Sequence, residues 1–172
     1  MTSNDVVTLY LELGKLNIQV WLDGGWGVDA LLEKQTRPHN DVDLVIQEKD
    51  LPLFQKFLED KGYKNVPRDD ARAWNFVLGD SKGHTIDVHV INIDVNGNGI
   101  YGPLENGVMY PSYSLQGKGT IDDLSVHCLT AEYQIESHGG YTLKAKDYSD
   151  VVAICEKFNL PLPKQFVGWD KK

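Results

Sequence analysis

Hydrophobic residues recur along the first third of the chain at spacings that switch between those of a helix and those of a strand. Apolar side chains three and four positions apart predict a helix over residues 3–16. An apolar run over residues 18–22 predicts a buried strand, and a second helical pattern covers residues 26–33. Polar and apolar residues then alternate over residues 41–46, which is the strand period. The chain therefore begins with alternating α and β elements.

The rest of the chain predicts more strands and then a helical end. Asp50 is suited to cap a third helix, which ends just before Gly62. We expect strands at residues 63–66, 74–78 and 84–93, loops with short strands over 94–119, and helices at 131–137 and 146–158. This order indicates an α+β or α/β fold. We expect a core over residues 1–125 with a small helical region, residues 126–172, packed on it, or else one single domain.

The composition is that of an ordinary globular protein with an acidic surface. The chain has 172 residues, 41% hydrophobic and 24% charged, which is enough to bury a real core. Its net charge of −8 disfavours nucleic acid and anionic membranes as partners. Cys128 and Cys155 lack the spacing of a zinc or redox site. Since the chain also lacks a leader pattern and a bilayer-spanning apolar run, we expect a cytoplasmic protein.

Two carboxylates share one face of the strand predicted over residues 41–46. Residues two apart in a strand point the same way, so Asp41 and Asp43 project together while Val42 and Leu44 face the core. Two like charges this close are unfavourable without a cation between them. Mg²⁺ prefers oxygen ligands and is often held by one or two carboxylates and substrate phosphates. The pair predicts a magnesium site, although a lone Asp-x-Asp is more often a solvated strand edge.

A glycine pair precedes the second helix and strengthens this interpretation. Gly24 and Gly25 lie between a buried strand and a helix, where the backbone can approach an anion and the helix N-terminus offers free N–H groups. Arg37 and His39, just before the aspartates, are further candidates for contact with phosphate. Alone, the glycines would indicate no more than a tight turn.

Asp87 supplies a third carboxylate on a later strand. It alternates with Ile86 and Val88, so it leaves the core on the same side as His89. If its strand lies beside that of Asp41 and Asp43, the three carboxylates converge. Asp87 is then a candidate metal ligand, or the base that takes a proton from an attacking hydroxyl.

A calcium-binding pattern over residues 94–105 is rejected. Its spacing matches an EF-hand loop. An EF-hand needs a helix on each side, however, and here a strand precedes the loop. We therefore expect a turn over residues 96–99.

Two segments resemble the signature of small antibiotic nucleotidyltransferases. They are Leu22-Asp23-Gly24-Gly25-Trp26-Gly27-Val28-Asp29-Ala30 and Arg37-Pro38-His39-Asn40-Asp41-Val42-Asp43. The pattern is similar to the short lincosamide nucleotidyltransferases and next to the short aminoglycoside adenylyltransferases, within the polymerase-β-like superfamily. The resemblance is strongest over residues 20–46, continues through residues 86–89, and weakens at Gly140-Tyr141 and over residues 147–150.

The resemblance implies an α+β nucleotidyltransferase fold with a mixed sheet flanked by helices. By position it implies that Asp41 and Asp43 bind one or two Mg²⁺ ions, that Asp87 is a ligand, the general base, or both, and that Gly24 and Gly25 contact a nucleoside triphosphate, for which we expect ATP. A substrate hydroxyl would attack the α-phosphorus and release pyrophosphate. Asp23 departs from some relatives, and it would either cap the second helix or repel the triphosphate.

The acceptor is the least defined part of the prediction. We expect a lincosamide antibiotic, with an aminoglycoside or a protein hydroxyl, as in toxin–antitoxin nucleotidyltransferases, as alternatives. A catalytically silent nucleotide-binding module is a further alternative, and a homodimer stays open. His89, Trp74 and Tyr101 are our candidates for the acceptor pocket, because aromatic faces suit rings and sugars. Asp29 is interpreted as structural, paired with Arg37 or Arg72.

Overall fold

The computed structural model describes residues 1–139 and 142–169, so Gly140 and Tyr141 of the predicted signature lie outside the described residues. Its α-helices are α1 (Ser3–Lys15), α2 (Gly24–Leu32), α3 (Leu51–Asp60), α4 (Ala131–Ser137) and α5 (Ala145–Phe158). Its strands are β1 (Val20–Asp23), β2 (Asp41–Gln47), β3 (Lys64–Val66), β4 (Asn75–Gly79), β5 (Thr85–Ile93), β6 (Gly99–Tyr101), β7 (Val108–Tyr110), β8 (Gly117–Ile121) and β9 (Leu124–Cys128).

The strands form one mixed sheet. The order along it is β3-β4-β5-β2-β1-β9-β8, and β6 extends β5 and pairs with β7. β2 runs parallel to β5, and β1 runs parallel to β9, while the other pairs are antiparallel. A mixed sheet flanked by helices confirms the predicted α+β class.

Alternation along the central strands divides the sheet into two faces. On one face the apolar residues of β1, β2 and β5 join the main core with residues of all five helices described above. Val42 and Leu44 belong to this core, at 0% and 1% exposure. On the other face a smaller cluster contains Trp21, Val45 and Ile91. The residues between them, including Asp43 and Asp87, point to this second face, which the helical core does not fill.

The C-terminal helices are part of the main core. Val151, Ile154 and Phe166 have 0% exposure and belong to the same cluster as the residues of β2 and β5. The boundary expected between residues 125 and 126 falls inside β9, which pairs with β1.

The hairpin of β8 and β9 is the main element that the sequence did not reveal. Its turn is Asp122-Asp123, both with positive φ. The predicted turns relied on glycine and proline, and this turn contains neither. Within residues 1–139 and 142–169, no helix has the length and apolar character needed to cross a membrane.

Candidate active site

Three carboxylates lie side by side across the middle of the sheet. Asp23 on β1 is opposite Asp43 on β2, and Asp43 is opposite Asp87 on β5. Like charges directly opposite on neighbouring strands repel each other. Such a row destabilises the fold unless a cation or hydrogen-bond donors compensate it, and the three carboxylates differ in how far the protein compensates them.

The carboxylate of Asp23 is engaged in hydrogen bonds at the glycine turn. Its carboxylate accepts a hydrogen bond from the Gly24 N–H at 2.7 Å and is the N-cap of α2. It also accepts a hydrogen bond from the buried Gln134 amide at 3.2 Å. Of the two roles considered for Asp23, the structure shows the capping role.

Only one of the two carboxylate oxygens of Asp87 has a hydrogen-bond partner among the described residues. The Arg68 guanidinium donates to its Oδ2 at 2.9 Å, and Asp70 holds the same guanidinium from the other side. Its Oδ1 is buried and has no hydrogen-bond partner in the described part of the chain. A buried carboxylate oxygen without a partner is costly, so this atom is suited to a cation or to a substrate proton.

Asp43 carries the strongest electrostatic perturbation. Burial, followed by the charges of Asp23, Asp41 and Asp87, raises the pKa of Asp43 well above its ordinary value, and Lys146 opposes the shift. The cause is the crowding of like charge in a place that water reaches poorly. A divalent cation would relieve this repulsion.

Asp43, Asp87 and His89 form a group with metal-binding geometry. Each offers one ligand atom, and these atoms lie within 4.8 Å of one another. Asp41, the other predicted ligand, projects from the same strand face but lies outside this group and is exposed. His89 was predicted for the acceptor pocket instead. Since Mg²⁺ prefers oxygen, the carboxylates fit it better than this imidazole does.

Gly24 allows the backbone to pass directly over Asp43. Its φ is +52°, in the left-handed region, and a Cβ there would overlap the Asp43 carboxylate. No other residue type fits this position without moving Asp43. The glycine turn and the aspartate pair, read separately in the sequence, are therefore in van der Waals contact.

A cleft of about 290 Å³ opens beside this turn. It is lined by Asp23, Gly24, Gly25, Arg37, His39, Asp41, Asp43, Ser137, His138, Lys146, Asp147 and Asp150. The α2 N-terminus and two cationic side chains, Arg37 and Lys146, thus border the same space as Asp41 and Asp43. Together they provide a place for an anion next to a place for a cation.

His39 and Arg37 have different positions in this cleft. His39 is buried, with one ring nitrogen 2.5 Å from Asp29 and the other 2.9 Å from Arg37. Asp29 thus pairs with His39, not with Arg37 or Arg72 as the sequence suggested. Arg37 is 29% exposed and reaches the cleft, so it is the better placed of the two for phosphate.

Of the three residues predicted for the acceptor pocket, the structure brings His89 and Tyr101 together, whereas Trp74 packs against the main core on the other face of the sheet. His89 Nδ1 and the Tyr101 hydroxyl are 3.0 Å apart. Trp74 packs against Gly102, where a Cβ would lie about 2.5 Å from the indole ring. Burial, then the charge of Asp87, raises the pKa of Tyr101 far above its ordinary value, which keeps the phenol protonated. His89 and Tyr101 therefore form a small aromatic group beside Asp87.

Several site residues were missed by the sequence analysis. Lys146 and Gln134 come from the C-terminal helices, more than a hundred positions after the glycine turn, and no local pattern connects them to it. Asp150 lies in the weakly matching segment 147–150, to which the sequence assigned no role. Arg68 lies in the connection between β3 and β4. An arginine two positions before an aspartate, as Arg68 is before Asp70, is common in loops. This pattern therefore did not predict the contact of Arg68 with Asp87.

A larger hollow of about 630 Å³ lies on another side of α2. It is bordered by Glu33, Lys34 and the Asp122-Asp123 turn, and it contains none of the predicted site residues. The predicted residues that line a cleft, namely Gly24, Gly25, Arg37, His39, Asp41 and Asp43, all line the smaller one.

Several known proteins are similar to this chain in sequence and in fold. A family model described as aminoglycoside-2''-adenylyltransferase matches residues 5–154. A lincosamide resistance protein of Staphylococcus haemolyticus is 31% identical over 137 residues, which cover 79% of this chain and 83% of the relative.

Solved structures extend this likeness. The crystal structure of the lincosamide antibiotic adenylyltransferase LnuA with lincomycin bound has a TM-score of 0.78 at 27% identity, covering 90% of this chain and 96% of LnuA. The crystal structure of ANT(2'')-Ia with adenylyl-2''-tobramycin has a TM-score of 0.72 at 18% identity, covering 91% and 88%, and supports the fold alone. The chain therefore belongs to the aminoglycoside-2''-adenylyltransferase family and is a nucleotidyltransferase.

Proposed function

We propose that this enzyme transfers a nucleoside monophosphate from ATP to a hydroxyl group of a lincosamide antibiotic and releases pyrophosphate. The observation that carries the proposal is the carboxylate row directly beside the glycine turn, in which the buried Oδ1 of Asp87 has no hydrogen-bond partner among the described residues. The lincosamide is supported by the relative from Staphylococcus haemolyticus and by the likeness to lincomycin-bound LnuA. Such a reaction would inactivate the drug and give resistance.

Asp41, Asp43 and Asp87 would hold one or two Mg²⁺ ions. The raised pKa of Asp43 and the unpaired Asp87 oxygen both fit a divalent cation at this place. When bound, Mg²⁺ neutralises charge on the triphosphate and on the leaving pyrophosphate. Asp41 would join from the cleft side, where it is exposed.

The triphosphate would bind at the start of α2. The N–H groups of the first turn are free of partners within the helix, and the positive end of the helix dipole favours an anion. Gly24 and Gly25 let the backbone approach it, and Arg37 and Lys146 supply positive charge from two sides of the cleft. Asp23 stays engaged as the helix cap and does not point its charge freely at the phosphates.

Where Asp41 and Asp43 hold the cation, Asp87 would instead take the proton from the acceptor hydroxyl. Its Oδ1 is the free oxygen, since Arg68 holds Oδ2. Holding one oxygen fixes the direction of the other, which favours proton transfer at a defined position. The acceptor would then lie between Asp87 and the aromatic pair of His89 and Tyr101, with a sugar or ring face against these side chains.

An aminoglycoside is the second candidate acceptor. The matching family model bears that description. The net charge of −8 favours a cationic small molecule and does not separate a lincosamide from an aminoglycoside. Initial rates with lincomycin, clindamycin and several aminoglycosides, each with ATP, CTP, GTP or UTP, separate the candidates. We expect the highest kcat/KM with a lincosamide and ATP. A higher kcat/KM with an aminoglycoside would reassign the acceptor, and turnover with none of them would refute the antibiotic assignment.

We further propose that the enzyme works in the cytoplasm, where ATP is available, on small molecules and not on nucleic acid. The acidic net charge supports the second point. The buried free thiols of Cys128 and Cys155 are compatible with a reducing compartment. A homodimer would be detected by sedimentation analysis.

A further inference from the structure

Asp29 belongs to a buried hydrogen-bond chain that leads to the cleft. It lies on α2, and its Oδ2 is 2.5 Å from Nε2 of His39, with each side chain 2% exposed. Its Oδ1 accepts hydrogen bonds from the Thr36 N–H at 3.0 Å and the Thr36 hydroxyl at 2.6 Å. Both carboxylate oxygens are therefore committed as acceptors.

The contacts of His39 define which ring nitrogen carries the proton. The Arg37 guanidinium lies 2.9 Å from His39 Nδ1, and a guanidinium can only donate. Nδ1 must then accept with its lone pair, which leaves the proton on Nε2, donated to Asp29. Asp29 thus selects the His39 tautomer that can accept from Arg37.

Arg37 is held between this chain and the last helix. Its Nη2 donates to Asp150 on α5 at 2.9 Å. Its guanidinium is therefore fixed from two sides while the side chain stays 29% exposed to the cleft.

Gly25 leaves room for the side chains of His39 and Arg37. A Cβ at that position would overlap the His39 ring and lie 2.8 Å from Nη2 of Arg37. The second glycine of the turn is therefore required by the two side chains, besides any role in letting a phosphate approach the backbone.

We infer that Asp29 is a positioning residue for the nucleotide donor: through His39 it orients the Arg37 guanidinium toward the triphosphate. The inference rests on the proposed function, in which Arg37 contacts the triphosphate. It assigns Asp29 a role that its buried place inside a helix would not reveal. Burying a carboxylate is costly, and here the buried Asp29 is compensated by hydrogen bonds that lead to a cationic side chain in the cleft.

The variant Asp29→Asn tests this directly. Thr36 donates twice to one oxygen, so the asparagine oxygen must stay there and its NH₂ group must face His39. His39 Nε2 must then accept a hydrogen bond from this NH₂ group, which places the imidazole proton on Nδ1. That proton faces the Arg37 guanidinium, which can only donate, so the hydrogen bond between His39 and Arg37 is lost. We expect the KM for ATP to rise about tenfold, the loss of one charge-assisted hydrogen bond, with little change in the KM for the acceptor.

Two matched variants separate orientation from stability. Thr36→Val removes one hydrogen bond to Asp29 but leaves the tautomer, so the KM for ATP should stay within about twofold. In an Arg37→Ala background, Asp29→Asn should add no further rise, because the residue it acts through is gone. An additive rise, or an unchanged KM for ATP in Asp29→Asn, would overturn the inference.

The tautomer itself gives a readout that needs no substrate. The ¹⁵N shifts of His39 in the wild-type protein should show the proton on Nε2, and in Asp29→Asn on Nδ1. A wild-type proton on Nδ1 would contradict the inference even if no variant folded.

If Arg37→Ala leaves the KM for ATP unchanged in an active enzyme, the role of Arg37 and this inference both fail. Absence of transfer by the wild-type enzyme would instead refute the proposed function.

Discussion

Asp43 is a carboxylate that is both buried and flanked by other carboxylates, which makes its charged form unfavourable. It lies between Asp23 and Asp87 in the sheet, and its pKa is raised well above the ordinary 3.8 by burial and by those neighbours. A carboxyl group with a raised folded pKa binds more protons in the folded than in the unfolded state. The stability of the metal-free protein should therefore fall as the pH rises from about 3.8 through the folded pKa.

Asp43→Asn should remove activity while making the metal-free protein more stable. At neutral pH the amide carries no charge, so the midpoint of thermal unfolding should rise by roughly 2–4 °C, the shift for about 1 kcal/mol in a chain of this size. Turnover should fall by about 10³-fold or more, because charge neutralisation at the phosphates is worth several kcal/mol.

Magnesium is the control for this experiment. Added Mg²⁺ should raise the wild-type midpoint by binding the folded state, and it should raise the Asp43→Asn midpoint much less. Equal activity in the two proteins would exclude Asp43 as a metal ligand. A lower midpoint for Asp43→Asn in metal-free buffer would show that the carboxylate row is not repulsive.

At the scale of elements, the unit formed by β1, α2 and β2 brings the donor site together. β1 ends in the helix cap Asp23, α2 begins at the glycine turn, and β2 returns antiparallel to place Asp43 under that turn. The geometry depends on Gly24, whose φ of +52° and missing Cβ allow the contact.

Gly24→Ala should damage both stability and nucleotide binding. The left-handed conformation costs an alanine roughly 1–2 kcal/mol, and its Cβ would displace the Asp43 carboxylate. Gly14→Ala is a matched control, because a Cβ there meets nothing within 4 Å, and it should stabilise α1 by about 0.5–1 kcal/mol. Thermal unfolding and ATP titration measure both effects. If Gly24→Ala binds ATP as well as Gly14→Ala does, the turn is not part of the donor site.

The sequence predicted this unit well because its information is local. The alternation over β2, the capping position of Asp23 and the break at Gly24 are all readable from neighbours along the chain. The partner of Asp29 was predicted wrongly, because charge alone favours an arginine, whereas the turn after α2 brings His39 to it. The hairpin of β8 and β9 was missed because its turn, Asp122-Asp123, contains neither glycine nor proline. The contribution of Lys146 was missed because it depends on packing between distant segments.

For the whole molecule, one core connects β2 and β5 to the C-terminal helices. Ile154 on α5 has 0% exposure within the same cluster as Ile86 and Val88 of β5. Asp150, one turn earlier on α5, holds Arg37 at the cleft. We therefore propose that residues 126–172 do not fold as a separate unit.

Ile154→Ala should lower the stability of the entire chain by about 2–5 kcal/mol, the usual cost of such a cavity. Urea unfolding followed by tryptophan fluorescence and by far-UV circular dichroism should give one coincident transition in both proteins. A separate early transition, with the remaining signal unchanged in Ile154→Ala, would indicate two independent units.

The most direct measurement of the central claim is mass spectrometry of lincomycin after incubation with the enzyme, ATP and Mg²⁺, with pyrophosphate measured in the same reaction. We predict that lincomycin gains one AMP unit, that one pyrophosphate appears for each adduct, and that Asp43→Asn yields neither. Unmodified lincomycin in the presence of folded wild-type enzyme, or an equal yield from Asp43→Asn, would contradict the account.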